Sequence, residues 1–205
     1  MNSHDELLEL FESVGAVRHG HFELSSGLHS ATYVQCALLL QYPRHAEKLG
    51  QALAAQFSDA SIEAVVSPAL GGVIIGQEVA RALPEPAGPS RGGVPALFVE
   101  RDASGTMTLR RGFSLRPNQR VLVVEDVWTT GGSTQEAIRV VEEAGGRVVA
   151  AGALIDRSGG SIDFPVEARA LLNLPMASYQ PDECPMCREG SPALKPGSRF
   201  ARSAP

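Results

Sequence analysis

A chain of 205 residues is long enough for one α/β domain with a real core and a small appendage. Its net charge of −5 and pI of about 5.6 argue against a nucleic-acid partner, and with Lys48 and Lys195 as the only lysines, anion binding must rest on Arg or backbone amides. The N-terminus lacks the basic, apolar and small-residue series of a signal peptide and no apolar run is long enough to span a membrane, so the expected compartment is the cytoplasm.

Along the chain, Leu7, Leu8, Leu10, Phe11 and Val14 recur at helical spacing over residues 5–14. Residues 19–41 are mixed, with a turn at Ser25-Ser26-Gly27 and extended chain expected over 32–40. A second helix is expected over 43–57, with Pro43 in its first turn, where the missing N–H costs nothing. A short apolar run at 62–66 ends at Ser67-Pro68 and leads through Gly71-Gly72 into a helix over 73–83. A Pro/Gly/Ser loop (84–93), a strand (94–99) and a polar, arginine-bearing loop (100–112) follow. Residues 121–124 form a buried strand, 133–144 a helix stopped by Gly145-Gly146, and 148–155 another buried strand. Short apolar strands alternating with helices predict an α/β fold, a doubly wound, mostly parallel sheet with helices on both faces. The chain reads as one domain (1–205): a hood at 1–41, a sheet core at 62–156 and an extended tail with a frayed end at 181–205.

The most informative stretch runs from Val121 to Thr134: a buried strand, the acids Glu125 and Asp126, then Val127, Trp128, Thr129, Thr130, Gly131, Gly132, Ser133 and Thr134 leading into a helix. In an open parallel sheet, ligands collect at the carboxyl ends of strands. A phosphate there meets free N–H groups at the following helix N-terminus. Glu125 and Asp126 repel phosphate but suit vicinal hydroxyls, which donate to carboxylates. An anion cradle beside a diol clamp describes a site for ribose 5-phosphate. Trp128, the only tryptophan, either packs beneath the loop or lies in it, and strand alternation makes Val127 the neighbour of a bound ring.

Other signals are weaker. There is no Gly-Lys pair, hence no Walker loop. Gly88-Pro89-Ser90-Arg91-Gly92 matches the letters of a hydrolase nucleophile elbow but lacks a preceding buried strand and reads as a surface loop. Three cysteines argue against a disulfide scaffold. Cys184-Pro185-Met186-Cys187 has half the spacing of a zinc site, without a second CxxC or CxxH; a tail turn, a local disulfide and structural zinc are the three readings, with the tail turn preferred and no residue assigned as a direct metal ligand.

The segment around Glu125 and Asp126 closely resembles the binding motif for 5-phosphoribosyl 1-diphosphate (PRPP) of the type I phosphoribosyltransferases. The resemblance implies that the loop holds the 5-phosphate, that the acids hold the ribose hydroxyls, and that Mg²⁺ enters with PRPP near Asp126. Over nearly the whole chain the sequence is similar to the orotate phosphoribosyltransferases. Phe22-Glu23-Leu24-Ser25-Ser26-Gly27, followed by Ser30-Ala31-Thr32-Tyr33, resembles that family's element closing over orotate, implicating Ser26 and Tyr33. Ser67-Pro68-Ala69-Leu70-Gly71-Gly72 resembles its pyrophosphate loop, implicating Leu70 and Gly71. Arg101, Arg110 and Arg111 fall in its mobile catalytic loop, which in the family reaches the neighbouring subunit of a homodimer and should stay mobile until an anion recruits it. Arg157 matches the arginine that binds orotate, and Thr129 would hydrogen-bond orotate by the same analogy. A carboxylate ligand calls for such a cation, since Arg grips carboxylates in bidentate fashion; the competing reading is a surface arginine paired with Asp156.

The tail, with Cys184-Pro185-Met186-Cys187 and Lys195-Pro196-Gly197-Ser198-Arg199, is similar to one branch of the family. Where many members carry lysine before the first Ser-Gly, Tyr-Lys in the pyrophosphate loop, and lysines with a histidine in the mobile loop, this chain has Ser25, Leu70-Gly71 and arginines. Anion contacts must therefore shift to Arg or backbone. The resemblance implies transfer of phosphoribosyl from PRPP to orotate, giving orotidine 5′-monophosphate for UMP synthesis. The alternatives are a transferase for a purine base and a PRPP-sensing regulator on the same fold.

Overall fold

The computed structural model describes residues 4–24, 26–85 and 92–196. Helix α1 (His4–Ser13) buries Leu7 and Phe11, one helical turn apart, and leads into an antiparallel hairpin of β1 (Val17–Glu23) and β2 (His29–Val34). This hairpin is the hood, and a bulge between His19 and Phe22 twists β1. Residues 37–40, expected to be extended, form the short helix α2 (Ala37–Leu40). Alanine and leucine are strong helix formers, and an unbroken apolar run does not distinguish a buried strand from a buried helical turn. Helix α3 (Pro43–Ala55) follows with Pro43 in its first turn.

A six-stranded sheet forms the body: β3 (Ala64–Pro68), β4 (Ala96–Arg101), β5 (Met107–Leu109), β6 (Arg120–Trp128), β7 (Arg147–Asp156) and β8 (Glu167–Asn173). Its order is β5-β4-β3-β6-β7-β8, and every pairing is parallel except β4 with β5. The mostly parallel, two-sided sheet expected from the alternation of strands and helices is the observed architecture. Strand alternation builds the two cores. Val65, Leu122 and Val124 pack with α1, α3 and α4 (Gly71–Ala82), whereas Val66, Val121 and Val123 pack with α5 (Gly132–Glu143).

Two further expectations need correction, and one strand was not anticipated. The polar loop at 100–112 is largely a hairpin: β5 returns along β4, and Asp102 Oδ1 accepts the N–H groups of Ser104 at 2.8 Å and Thr106 at 3.1 Å to close the turn. Strand β8 escapes the hydrophobic pattern because it is an edge strand rich in helix-forming Glu, Ala, Arg and Leu, with only Leu172 buried. The tail is not simply extended, since α6 (Pro185–Arg188) forms a helical turn and Leu194 pairs alongside β1, accepting from Glu23 N–H at 2.7 Å and donating to His21 C=O at 2.8 Å. Ser25, most of the Pro/Gly/Ser loop with Ser90, and the end of the tail from Gly197 lie outside the described residues. Among the described residues no helix is long and apolar enough to cross a membrane.

Candidate active site

From β3 the connections run to one side, toward β4 and β5; from β6 they run to the other, toward β7 and β8. The loops leaving β3 and β6 therefore diverge, and the crevice between them is where an open α/β sheet binds ligands. Strand β6 runs further than the apolar pattern indicated, so Glu125 and Asp126 sit on the strand, and Glu125 pairs with Ala153 of β7. Because successive side chains point to opposite faces, the adjacent acids go to different helices. Glu125 accepts a 2.6 Å hydrogen bond from Thr134 Oγ1 on α5. Asp126 reaches α4: a Cβ on Gly71 would lie 2.5 Å from its Oδ1, so only glycine fits there while the carboxylate keeps this position.

Among the described residues neither acid has a cation beside it, and burial raises both. Glu125 is pushed up to about 7 by desolvation, with Asp126 adding repulsion and the Thr134 hydroxyl pulling the other way. Asp126 is raised by burial, opposed by the Val127 N–H bonded to its Oδ1 at 3.0 Å. A group whose folded pKa lies above its unfolded value favours folding at low pH, and that contribution is lost as pH rises toward the folded value. Between pH 5 and pH 8 the Glu125 shift should therefore lower stability by about 2–3 kcal/mol. Urea unfolding of the ligand-free protein and of Glu125→Gln at these two pH values checks this: the wild type should lose that much more than the variant. Parallel pH profiles would remove the raised carboxyl.

The loop after β6 is shaped by Gly131. It adopts φ 75° as the residue before α5, and a Cβ there would strike Ile162 Cγ2 at 2.6 Å and Phe164 Cζ at 3.0 Å. The N-cap residue Gly131 offers no side-chain cap, which leaves the first-turn amides of α5 without an intrahelical acceptor at the end of β6. Thr129 and Thr130 are exposed there, Thr130 Oγ1 accepting from Gly132 N–H at 3.4 Å, and Ser133 is partly exposed. Trp128 and Thr134 are different: both are buried, and Trp128 Nε1 donates to Thr134 Oγ1 at 3.0 Å while its ring packs on Phe164. Their side chains support the loop and orient Glu125, and are turned away from a ligand in the crevice. Val127 on the opposite pleat is partly exposed. Across the crevice, Leu70 is fully displayed at 87% exposure in the loop after β3, whose Ala69–Leu70 peptide is cis.

Arg157 follows β7, and its N–H donates to Trp128 C=O at 2.9 Å, which pins it beside the end of β6. Its Nε is buried without a hydrogen-bond partner. Burial lowers its pKa, and Tyr33 of β2 is the group that works against that shift. No ion pair among the described residues includes it. The pairing with Asp156 does not form, since Asp156 Oδ1 instead accepts from Ser158 N–H at 2.7 Å.

Residues 39–163 match the family model described as a phosphoribosyl transferase domain. The chain is 51% identical to the orotate phosphoribosyltransferase of Pelotomaculum thermopropionicum over 95% of its own length and 97% of the relative's. The chain belongs to the orotate phosphoribosyltransferase family. The Thermotoga maritima orotate phosphoribosyltransferase is 48% identical, covering 93% of this chain and 97% of that one. Among solved structures, the Mycobacterium tuberculosis orotate phosphoribosyltransferase in complex with PRPP superposes with a TM-score of 0.66 at 28% identity, covering 83% of this chain and 96% of that one.

Within this family member the remaining sequence candidates are scattered. Ser26 is exposed in the β1–β2 turn, its Oγ 3.5 Å from the Leu28 N–H, while Tyr33 is partly buried beside Phe22 and near Arg157. The loop arginines are held by acids of their own chain: Arg101 pairs with Glu136 at 2.8 Å, Arg111 grips Glu100 with two bonds of 2.8 and 2.9 Å, and Arg110 lies 4.0 Å from Glu100. Sequence reasoning missed Ile162 and Phe164, which wall in Gly131. They lie beyond the next strand, and nothing in their spacing signals a role.

Proposed function

We propose that this chain transfers the 5-phosphoribosyl group from PRPP to orotate, releasing pyrophosphate. The observation that carries the reading is Arg157, a partly buried guanidinium without a carboxylate, beside Tyr33 and next to the acid-bearing strand. A planar anionic base supplies the missing partner and accepts bidentate hydrogen bonds. The first-turn amides of α5, with Thr129, Thr130 and Ser133, cradle the 5-phosphate. Glu125 and Asp126 accept from the ribose hydroxyls, and backbone N–H groups of the Leu70-Gly71 segment hold the pyrophosphate.

Two partly buried acids, with no cationic neighbour among the described residues, also fit a magnesium complex of PRPP, which Asp126 would face without any protein group being required as a direct ligand. Bound there, Mg²⁺ would neutralise charge on the leaving pyrophosphate. As the bond from orotate N1 to ribose C1 forms and the C1–O bond to pyrophosphate breaks, the ribose gains positive character. The nearby carboxylates stabilise that charge and the cradle holds the reactants in line.

We place Arg101, Arg110 and Arg111 at the active site of a partner subunit in a homodimer. Their present ion pairs are exposed, hence weak, and release them readily to an anion. Mixing inactive Asp126→Asn chains with inactive Arg101/Arg110/Arg111 triple-alanine chains under subunit exchange should restore about a quarter of wild-type activity, because about half the dimers are mixed and each has one intact site. No recovery despite confirmed exchange would confine the loop to its own chain. The reaction itself is tested by the loss of orotate absorbance on adding PRPP and Mg²⁺. Consumption of adenine or xanthine in its place would reassign the base.

A further inference from the structure

The proposed reaction makes no use of a second cluster, where the C-terminal tail meets the hood. His21 of β1, His29 at the start of β2, Cys184 at the N-cap of α6 and Cys187 within that helical turn bring four ligand atoms within 4.8 Å of one another. His21, His29 and Cys184 are buried, Cys187 is half-buried, and both cysteines are free thiols. We propose that these four residues form a structural Zn²⁺ site that fastens the C-terminal tail to the hood.

The geometry suits tetrahedral zinc. Bond lengths of about 2.3 Å to sulfur and about 2.0–2.1 Å to nitrogen place a nitrogen about 3.6 Å from a sulfur across a tetrahedral edge. Cys184 Sγ lies 3.5 Å from His21 Nε2, and Cys187 Sγ lies 3.8 Å from His21 Nε2 and 3.3 Å from His29 Nδ1. The two ring nitrogens are closer, at 2.8 Å, the separation of a shared hydrogen that the ion replaces. His21 is also oriented from outside the cluster: its Nδ1 faces Ser191 C=O at 2.8 Å. A carbonyl only accepts, so Nδ1 carries the hydrogen and Nε2 presents its lone pair inward, as the outer hydrogen bond of a metal-bound histidine requires. Two thiolates and two neutral imidazoles leave the ion formally uncharged in a buried setting, and this soft donor set selects zinc over magnesium.

The site lies where tail and hood already meet. Tyr179 exchanges both backbone hydrogen bonds with His29, Ser30 Oγ donates to Ala177 C=O at 3.1 Å, and Lys195 pairs with Glu23. Because β2 carries both His29 and Tyr33, the ion would steady the strand that borders Arg157. The site itself does not depend on the transferase assignment.

The test begins with wild-type protein made in zinc-supplemented medium and passed through metal-free buffer. Elemental analysis should find one zinc per chain, and a strong chelator should lower Tm by roughly 5–10 °C, restored by Zn²⁺ but not by Mg²⁺. Replacing zinc with Co²⁺ should give the visible bands of a tetrahedral ion and a thiolate charge-transfer band. That band should persist in Cys36→Ser and be lost in Cys184→Ser/Cys187→Ser. Should the double variant fail to fold, the wild-type zinc content and cobalt spectrum decide alone. Zinc-free protein that melts at the same temperature with and without Zn²⁺, an octahedral cobalt spectrum, or a Cys184–Cys187 disulfide in freshly prepared protein would each overturn the proposal.

Discussion

Replacing Arg157 with alanine should raise the apparent KM for orotate at least about 30-fold while leaving that for PRPP within about threefold; losing one partner of a buried charged pair costs on the order of 2–5 kcal/mol. The asymmetry follows from position. Arg157 is tethered through its N–H to Trp128 C=O at the end of β6, and its guanidinium lies toward Tyr33 of the hood, whereas the acids and the α5 amides stand on the strand and helix behind it. In the ligand-free protein the same change removes a buried, unpartnered Nε, so Tm should hold or rise. Steady-state kinetics with each substrate varied in turn, together with thermal melts, separates these effects. Equal losses for both substrates, or a fall in Tm matching the fall in activity, would make Arg157 a general structural group.

The parts of this site that were legible in the sequence are those whose chemistry is local. The valine run of β6, the two acids and the glycine-bearing turn into α5 are consecutive, so order alone conveyed the strand, the acid pair and the turn into the helix. Strand pleating also separated Val127 from Trp128, although only the structure shows the tryptophan bonded through Thr134 to Glu125. Long-range partners were not legible. Gly131 is walled in by Ile162 and Phe164, and Cys184 meets His21 across 163 positions; no spacing rule spans such distances. The fold was missed where local preference and final environment disagree. Residues of β8 prefer helix yet complete a sheet edge, and the arginine-bearing segment, polar enough to read as a loop, is pinned as a hairpin by Asp102.

Asp126→Asn should reduce turnover by about a hundredfold or more, on the order of 2.7 kcal/mol of transition-state stabilisation, in a protein that folds as well as the wild type. The substitution keeps the size of the side chain and an oxygen able to accept the Val127 N–H, so the local hydrogen bond survives. Burial already raises the pKa of Asp126, so removing its charge relieves a desolvation cost, and urea unfolding should show unchanged or slightly higher stability. Catalysis is affected in the opposite direction. A neutral amide still hydrogen-bonds a ribose hydroxyl, but it supplies no negative charge to a ribose that becomes cationic in the transition state, nor to a magnesium ion arriving with PRPP. The loss should therefore fall on kcat at saturating PRPP more than on PRPP binding. Turnover within about twofold of wild type, a difference of only about 0.4 kcal/mol, would show that Asp126 does not act on the reacting ribose and that its place against Gly71 is a matter of packing.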